Sequence, residues 1–252
     1  ANQGGILPVG FTLSSYKKLL EDNQFWRSAW ISVLRVVLGT GLNMLMMILL
    51  AYPLSKSKNR FASRDIYMKL VIFAMLFNGG LIPGYIIVSK LHLLNTIWAL
   101  VLPGAVPVFN VILLMNFMKG LPEALEEAAV IDGASEWTIL TRVVLPISKP
   151  VLATIGLFLS FGYWNDWFQS SLYISDTNLY SLQALLDHVQ RNIEMMANNP
   201  SLGVTTAQYM NSMPKEGARM AMAIIIIIPI ACCYPFFQKY FISGLTVGAV
   251  KG

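Results

Sequence analysis

The chain has 252 residues, 56% of them hydrophobic and only 12% charged, about half the roughly 25% charge of a soluble domain. Uncharged blocks such as Ala221 to Cys232 exclude an ordinary soluble enzyme and leave an all-α membrane protein with room for five or six spans of about 20 residues each. The net charge of +5 is informative through its location, because basic residues collect on the cytoplasmic side of membrane proteins; no nucleic-acid partner is implied.

Residues 1–28 read as an extracytoplasmic N-terminal segment, yet no basic stretch followed by an apolar one is present to export them. A further span ahead of Ala1 is therefore expected. Residues 29–118 hold three candidate spans, from Trp30 to Leu54, Lys69 to Val88 and Ile97 to Met118. Between the first two, Lys56, Lys58, Arg60, Arg64 and Lys69 stand against a lone Asp65, which places this connection in the cytoplasm. Arg35 lies in the first span and is expected to snorkel outward or to pair with a neighbouring subunit. Asn78, with Gly79, Gly80, Pro83 and Gly84, loosens the second span, which fits either a bend facing a polar pathway or close helix packing.

Residues 119–149 are too polar for a span and too long for a simple connection of about 2 to 8 residues. Pro122 suits the first position of a helix, and Glu123, Glu126 and Glu127 place carboxylates near its positive end. Gly133 can supply the left-handed residue that ends it. Leu121, Leu125, Ala128, Ala129 and Asp132 then share one narrow side, which fits either a groove in a partner protein or the lipid surface. Ser135 can cap a second helix through Trp137, Ile139 and Leu140, and Pro146 and Pro150 bend the approach to the next span.

Residues 150–241 hold two more spans, from Pro150 to Ile174 and from Ala221 to Tyr240, around an extracytoplasmic loop at 175–219, and 242–252 form a cytoplasmic tail. Trp164, Asn165, Asp166, Trp167 and Gln169 combine ring faces with hydrogen-bonding groups near the outer end of their span. That mixture suits a sugar, and it equally suits an aromatic belt at the membrane interface. The outer loop has a helical pattern around Leu182, Leu185, Leu186 and Val189 and a turn signal at Asn198, Asn199 and Pro200; it is a candidate contact for partner proteins. Cys232 and Cys233 are adjacent within an apolar stretch and read as packing or lipid-facing residues, and His92 and His188 have no metal-ligand spacing.

Glu127, Ala128 and Ala129 are followed after three residues by Gly133 and, nine residues further on, by Val143, one residue, Leu145 and Pro146. This resembles the EAA signature of permease subunits of ATP-binding cassette (ABC) importers, with Val143 standing where Ile is usual. Gly10 to Lys17 (GFTLSSYK), Phe77 to Gly84 (FNGGLIPG), Tyr163 to Trp167 (YWNDW) and Gly244 to Gly252 (GLTVGAVKG) extend the resemblance to the MalG-like carbohydrate permeases from one end of the chain to the other. Phe77 to Gly84 and the chain ending look most like the LplC and YtcP branch of oligosaccharide permeases in Gram-positive bacteria.

The resemblance implies a type I ABC importer (MetI-like, MalG-like) helix bundle of six spans, of which this chain supplies spans two to six. It implies a multi-pass protein of the plasma membrane, paired with a second, different permease, two ATP-binding cassette subunits and an extracellular solute-binding lipoprotein. It further implies that the 123–132 helix couples to an ATPase subunit, with Glu127, Ala128, Ala129, Asp132, Gly133, Leu145 and Pro146 as the coupling residues; the tail at 246–251 either docks there too or frays. Candidate pathway groups are Asn78, Trp164, Asn165 and Asp166. The chain needs no cofactor of its own under this reading. It lacks a G-x-x-x-x-G-K-[ST] phosphate loop, so ATP would be bound and hydrolysed by the partner. An intramembrane enzyme would need a catalytic set in the spans, and an ion-gradient-driven secondary transporter would favour buried carboxylates and inverted repeats; the sequence displays neither.

Overall fold

A computed structural model describes residues 14–198 and 220–232, and all the regular structure among them is helical. Helix α1 (Ser14–Glu21) leads into α2 (Asn23–Ser55), whose first turn is capped by the Asp22 carboxylate accepting from the Gln24 amide at 2.9 Å. With 33 residues, α2 is about 50 Å long, so it overshoots the roughly 30 Å hydrocarbon core at its ends. The span expected from Trp30 to Leu54 lies within it.

The buried stripe of α2 runs through Ser28, Ser32, Arg35, Gly39, Asn43, Met47, Ala51 and Leu54. These three- and four-residue steps make one helical face. The opposite side exposes Val33, Val37, Leu45, Met46 and Leu49. A polar inner stripe with an apolar exterior is the reverse of a soluble helix and suits a bundle in lipid, where small and polar residues mediate helix packing. Two helices close on this stripe, α5 (Val108–Lys119) and α9 (Lys149–Asn165). The main core joins Met47, Ala51 and Leu54 of α2 to Val111, Leu114 and Met118 of α5 and Ile155 of α9. A smaller cluster at the other end of α2 joins Leu19 and Phe25 to Leu182 and Leu185 of α11 (Leu182–Asn198) and to Met222 and Ile226 of the helix at Met220–Cys232, α12.

Three of the expected spans are interrupted. The stretch from Lys69 to Val88 is not one helix: α3 (Arg64–Leu76) and α4 (Leu81–Lys90) meet at 115°. The Asn78 carboxamide oxygen accepts from the Gly80 amide at 2.9 Å, and Gly80 has φ +90°, a conformation open to glycine and strained for other residues. The Ile97 to Met118 span begins as two 3-10 turns, Ile97–Leu100 and Leu102–Gly104, and bends by 49° before α5, because Pro103 and Pro107 have no amide hydrogen to give to a regular ladder. The helix entering at Pro150 stops at Asn165 rather than Ile174; Asp166 is extended, and α10 (Phe168–Tyr173) restarts after it.

The last expected span is helical over Met220–Cys232, with Cys232 exposed. The remainder of that span, the tail, Gly10 to Leu13 and the turn at Asn199 and Pro200 lie outside the described residues.

Candidate functional site

Helix α6 (Glu123–Ile131) begins one residue later than the sequence predicts, with Pro122 in the capping position. Its end is formed by a two-bond motif. The Ala134 amide donates to the Ala129 carbonyl at 2.9 Å and the Gly133 amide to the Val130 carbonyl at 3.0 Å, with Gly133 at φ +77°. That pairing satisfies two carbonyls the helix end would leave open, and it requires the left-handed residue that Gly133 supplies. Ser135 then caps α7 (Glu136–Ile139), its hydroxyl accepting from the Thr138 amide at 3.3 Å. A π-helical turn at Leu140–Val144 follows, then the short α8 (Leu145–Ile147), and the chain turns by 79° at Ser148 into α9. The wider turn lies just ahead of Pro146, whose ring has no room against a regular α-helical carbonyl four residues back.

The unit is anchored from one side. Leu121, Ala129, Ala134, Val143 and Leu145 pack on the main core, and Ile139, Leu140 and Val144 belong to it. Glu126 pairs with Lys56, at the end of α2, and with Arg60 Nη1 at 2.9 Å. Arg60 also lies 3.5 Å from Glu136, and the Tyr52 hydroxyl donates to Glu136 at 2.6 Å while the Lys56 ammonium sits 4.0 Å from the Tyr52 ring centre. A cavity of about 550 Å³ opens beside these pairs, lined by Arg60, Lys119, Leu121, Glu123, Glu127 and Ile131 among others.

The rest of the unit is bare. Glu127, Ala128, Asp132, Gly133 and Pro146 are exposed, as are Leu125, Val130 and Ile131, with Glu127, Val130 and Ile131 also bordering the cavity, whereas Ala129 and Leu145 are half-buried. The signature residues therefore divide into inward anchors and an outward face. In the sequence Lys56 and Arg60 serve only to set orientation, and Glu127 stands out from Glu126 only through the signature it resembles, with no sign that Glu126 is an anchor. The available signal was the matching excess of base in one connection and acid in the other.

The second polar site lies inside α2, at Arg35, about 30 Å along the helix from Lys56. Arg35 is 1% exposed and neither snorkels nor reaches for another subunit: it pairs with the Asp166 carboxylate and donates to the Asp166 carbonyl at 2.8 Å and to Gln169 Oε1 at 2.9 Å. The other Asp166 oxygen accepts from the Phe168 and Gln169 amides at 3.1 and 3.3 Å, which caps α10. Both oxygens are thus engaged within the chain. Tyr163 lies against Gly39 and donates to Asn43 at 3.3 Å, and Thr40 bonds Ser160 at 3.2 Å, extending the polar contact between α2 and α9.

Trp164 turns away, donating from its indole to the Ile226 carbonyl at 3.1 Å. Asn165 is exposed and accepts from Gln183 at 3.4 Å. Asn78, equally exposed, is not brought near this group by any hydrogen bond; it organises its own break.

Residues 33–247 match the family model described as binding-protein-dependent transport system inner membrane component. The chain is 43% identical to Protein LplC of Bacillus subtilis (strain 168), over 98% of this chain and 81% of the relative. It is 36% identical to the polygalacturonan/rhamnogalacturonan transport system permease protein YtcP of the same organism, over 98% and 84%. A solved bacterial ABC transporter involved in the import of the acidic polysaccharide alginate is similar with a TM-score of 0.81 at 30% identity, covering 93% of this chain and 81% of that one.

Proposed function

The chain belongs to the family of binding-protein-dependent transport system inner membrane components, and from that premise we propose that it is the permease subunit of an ATP-driven importer carrying an oligosaccharide delivered by an extracellular solute-binding lipoprotein. It has the all-α fold of an ABC importer permease. The similarity to YtcP and to the alginate importer supports the sugar class, and the Bacillus relatives support a Gram-positive plasma membrane.

The observation that carries the reading is the bare face of α6 on an anchored base. Glu127, Ala128, Asp132 and Gly133 are presented outward while Glu126, Ala129 and Leu145 hold the unit to the bundle. In the proposed assembly that face sits in a cleft of a cytoplasmic ATPase subunit: Glu127 offers charge, Ala128 offers close approach, and Gly133 fixes the turn. The second ATPase subunit serves a second, different permease. ATP is bound and hydrolysed in those subunits, and their closure rocks the spans between inward-open and outward-open states through contacts that differ between the two.

Among the candidate pathway groups, Asn78, Trp164 and Asn165 are proposed to border the sugar's route, and Asp166 to shape it through Arg35 and α10. Affinity purification from the membrane tests the assembly: an ATPase and a second permease should be recovered together with this chain, whereas a lone active homodimer would favour a secondary transporter. A screen of neutral and acidic oligosaccharides against the associated binding protein identifies the sugar.

A further inference from the structure

Helix α6 has no fully buried residue, so apolar packing alone holds it weakly. Its attachments are the half-buried Ala129, the flanking Leu121 and Ala134, and Glu126. The Glu126 carboxylate is only 15% exposed, and the Lys56 side chain opposite it 8%. Lys56 directly follows the last residue of α2, and Arg60 approaches the same carboxylate from the connection to α3 while also facing Glu136 of α7. One carboxylate thus joins α2, the α2–α3 connection and α6, with α7 joined through Arg60 and Tyr52.

We propose that Glu126, held by Lys56 and Arg60, is a positioning residue that clamps α6 to the end of α2, so that motion imposed on the coupling face reaches α2 directly rather than only through the turn at Ser148. The proposal rests on the reading of the chain as an importer permease. A half-buried ion pair is well suited to clamping, because dry surroundings make its geometry stiff and it costs much to break once its partners have been desolvated. Helix α2 is the natural receiver, since α5 and α9 both pack on it. Neighbouring Glu127 is free to meet the ATPase because Glu126 takes the inward role.

The test uses the full importer in proteoliposomes with its binding protein and sugar, measuring sugar carried per ATP hydrolysed. Glu126→Gln and Lys56→Gln should each lower that ratio by about tenfold, with unchanged recovery of the ATPase subunits. The double variant should be no worse than either single one, and Lys56→Arg should keep the ratio. In a chain carrying Cys232→Ser and Cys233→Ser, Lys56→Cys with Glu126→Cys bridged by a short bis-maleimide should restore coupling without any charge. Normal coupling in both single variants, additive losses in the double variant, loss of the ATPase from Glu126→Gln complexes, or no rescue by the bridge would each overturn the clamp. Failure of the importer reading itself shows separately, as no ATPase recovered with the unaltered chain.

Discussion

Two sites along α2, one at Arg35 in its first half and one at Lys56 just past its last residue, each bury a cation against a carboxylate from elsewhere in the chain, yet the two pairs differ in what they leave free. Arg35 and Lys56 stand about 30 Å apart along the helix, the thickness of the hydrocarbon core. At the Arg35 site both carboxylate oxygens are consumed internally: Asp166 commits one to Arg35 and the other to capping α10, and the one group left over, Arg35 Nε, is buried with no hydrogen-bond partner among the described residues and so offers nothing to a partner. At the Lys56 site the inward carboxylate Glu126 is consumed while Glu127 beside it is left exposed with no ion pair or hydrogen bond among the described residues. A polar knot with every carboxylate oxygen committed stabilises the bundle; a knot with one free neighbouring carboxylate also presents a surface.

That contrast breaks most sharply at Asp166. Asp166→Asn leaves an oxygen to cap α10 but strips the charge partner from a nearly inaccessible Arg35, and should destabilise the protein by about 3–5 kcal/mol. The thermal midpoint of the purified protein in detergent reads this out, and a parental midpoint would show the knot to be dispensable. Gly39→Ala probes the same site by shape. A methyl group there would meet the Tyr163 ring at 2.5 Å, so the ring must shift, at an expected cost of about 1–3 kcal/mol in the same assay.

At the other site the expected stability effects are smaller. Ser135→Ala removes the cap of α7 and should cost about 1 kcal/mol, with a proportionate fall in uptake if the exposed face is misaligned. Glu127→Gln is the sharpest case: stability should change by less than about 0.5 kcal/mol, while recovery of the ATPase with this chain falls in an affinity purification. A large drop in the thermal midpoint with full ATPase recovery would place Glu127 among the structural residues and erase the distinction between the two sites.

The parts of this arrangement that were legible in the sequence are those decided within a few residues. Gly133 ends α6 and Ser135 opens α7 because a left-handed turn and a hydroxyl cap are local requirements. The unbroken first span was legible because its apolar run is long enough by itself to specify a spanning helix. Arg35 was not, since its partners lie 131 and 134 residues away and sequence conveys only that burying it is costly. The Gly-rich stretch at Asn78 announced a loosened helix, but a 115° turn depends on how α4 then packs. Glu126 and Glu127 are chemically identical; the fold separates them by placing Lys56 and Arg60 on one side.

The π turn at Leu140–Val144 carries one more residue per turn than an α-helix would accommodate. Each residue of an α-helix advances the chain by about 100° around its axis, so this wide turn, together with the 79° bend at Ser148, sets the compass bearing of everything before it relative to α9. Deleting one residue there would shorten the segment by only about 1.5 Å yet swing the α6 face far from its present heading. The reach of the exposed α6 face along the segment is therefore a forgiving quantity in this protein, and the azimuth of that face is an unforgiving one.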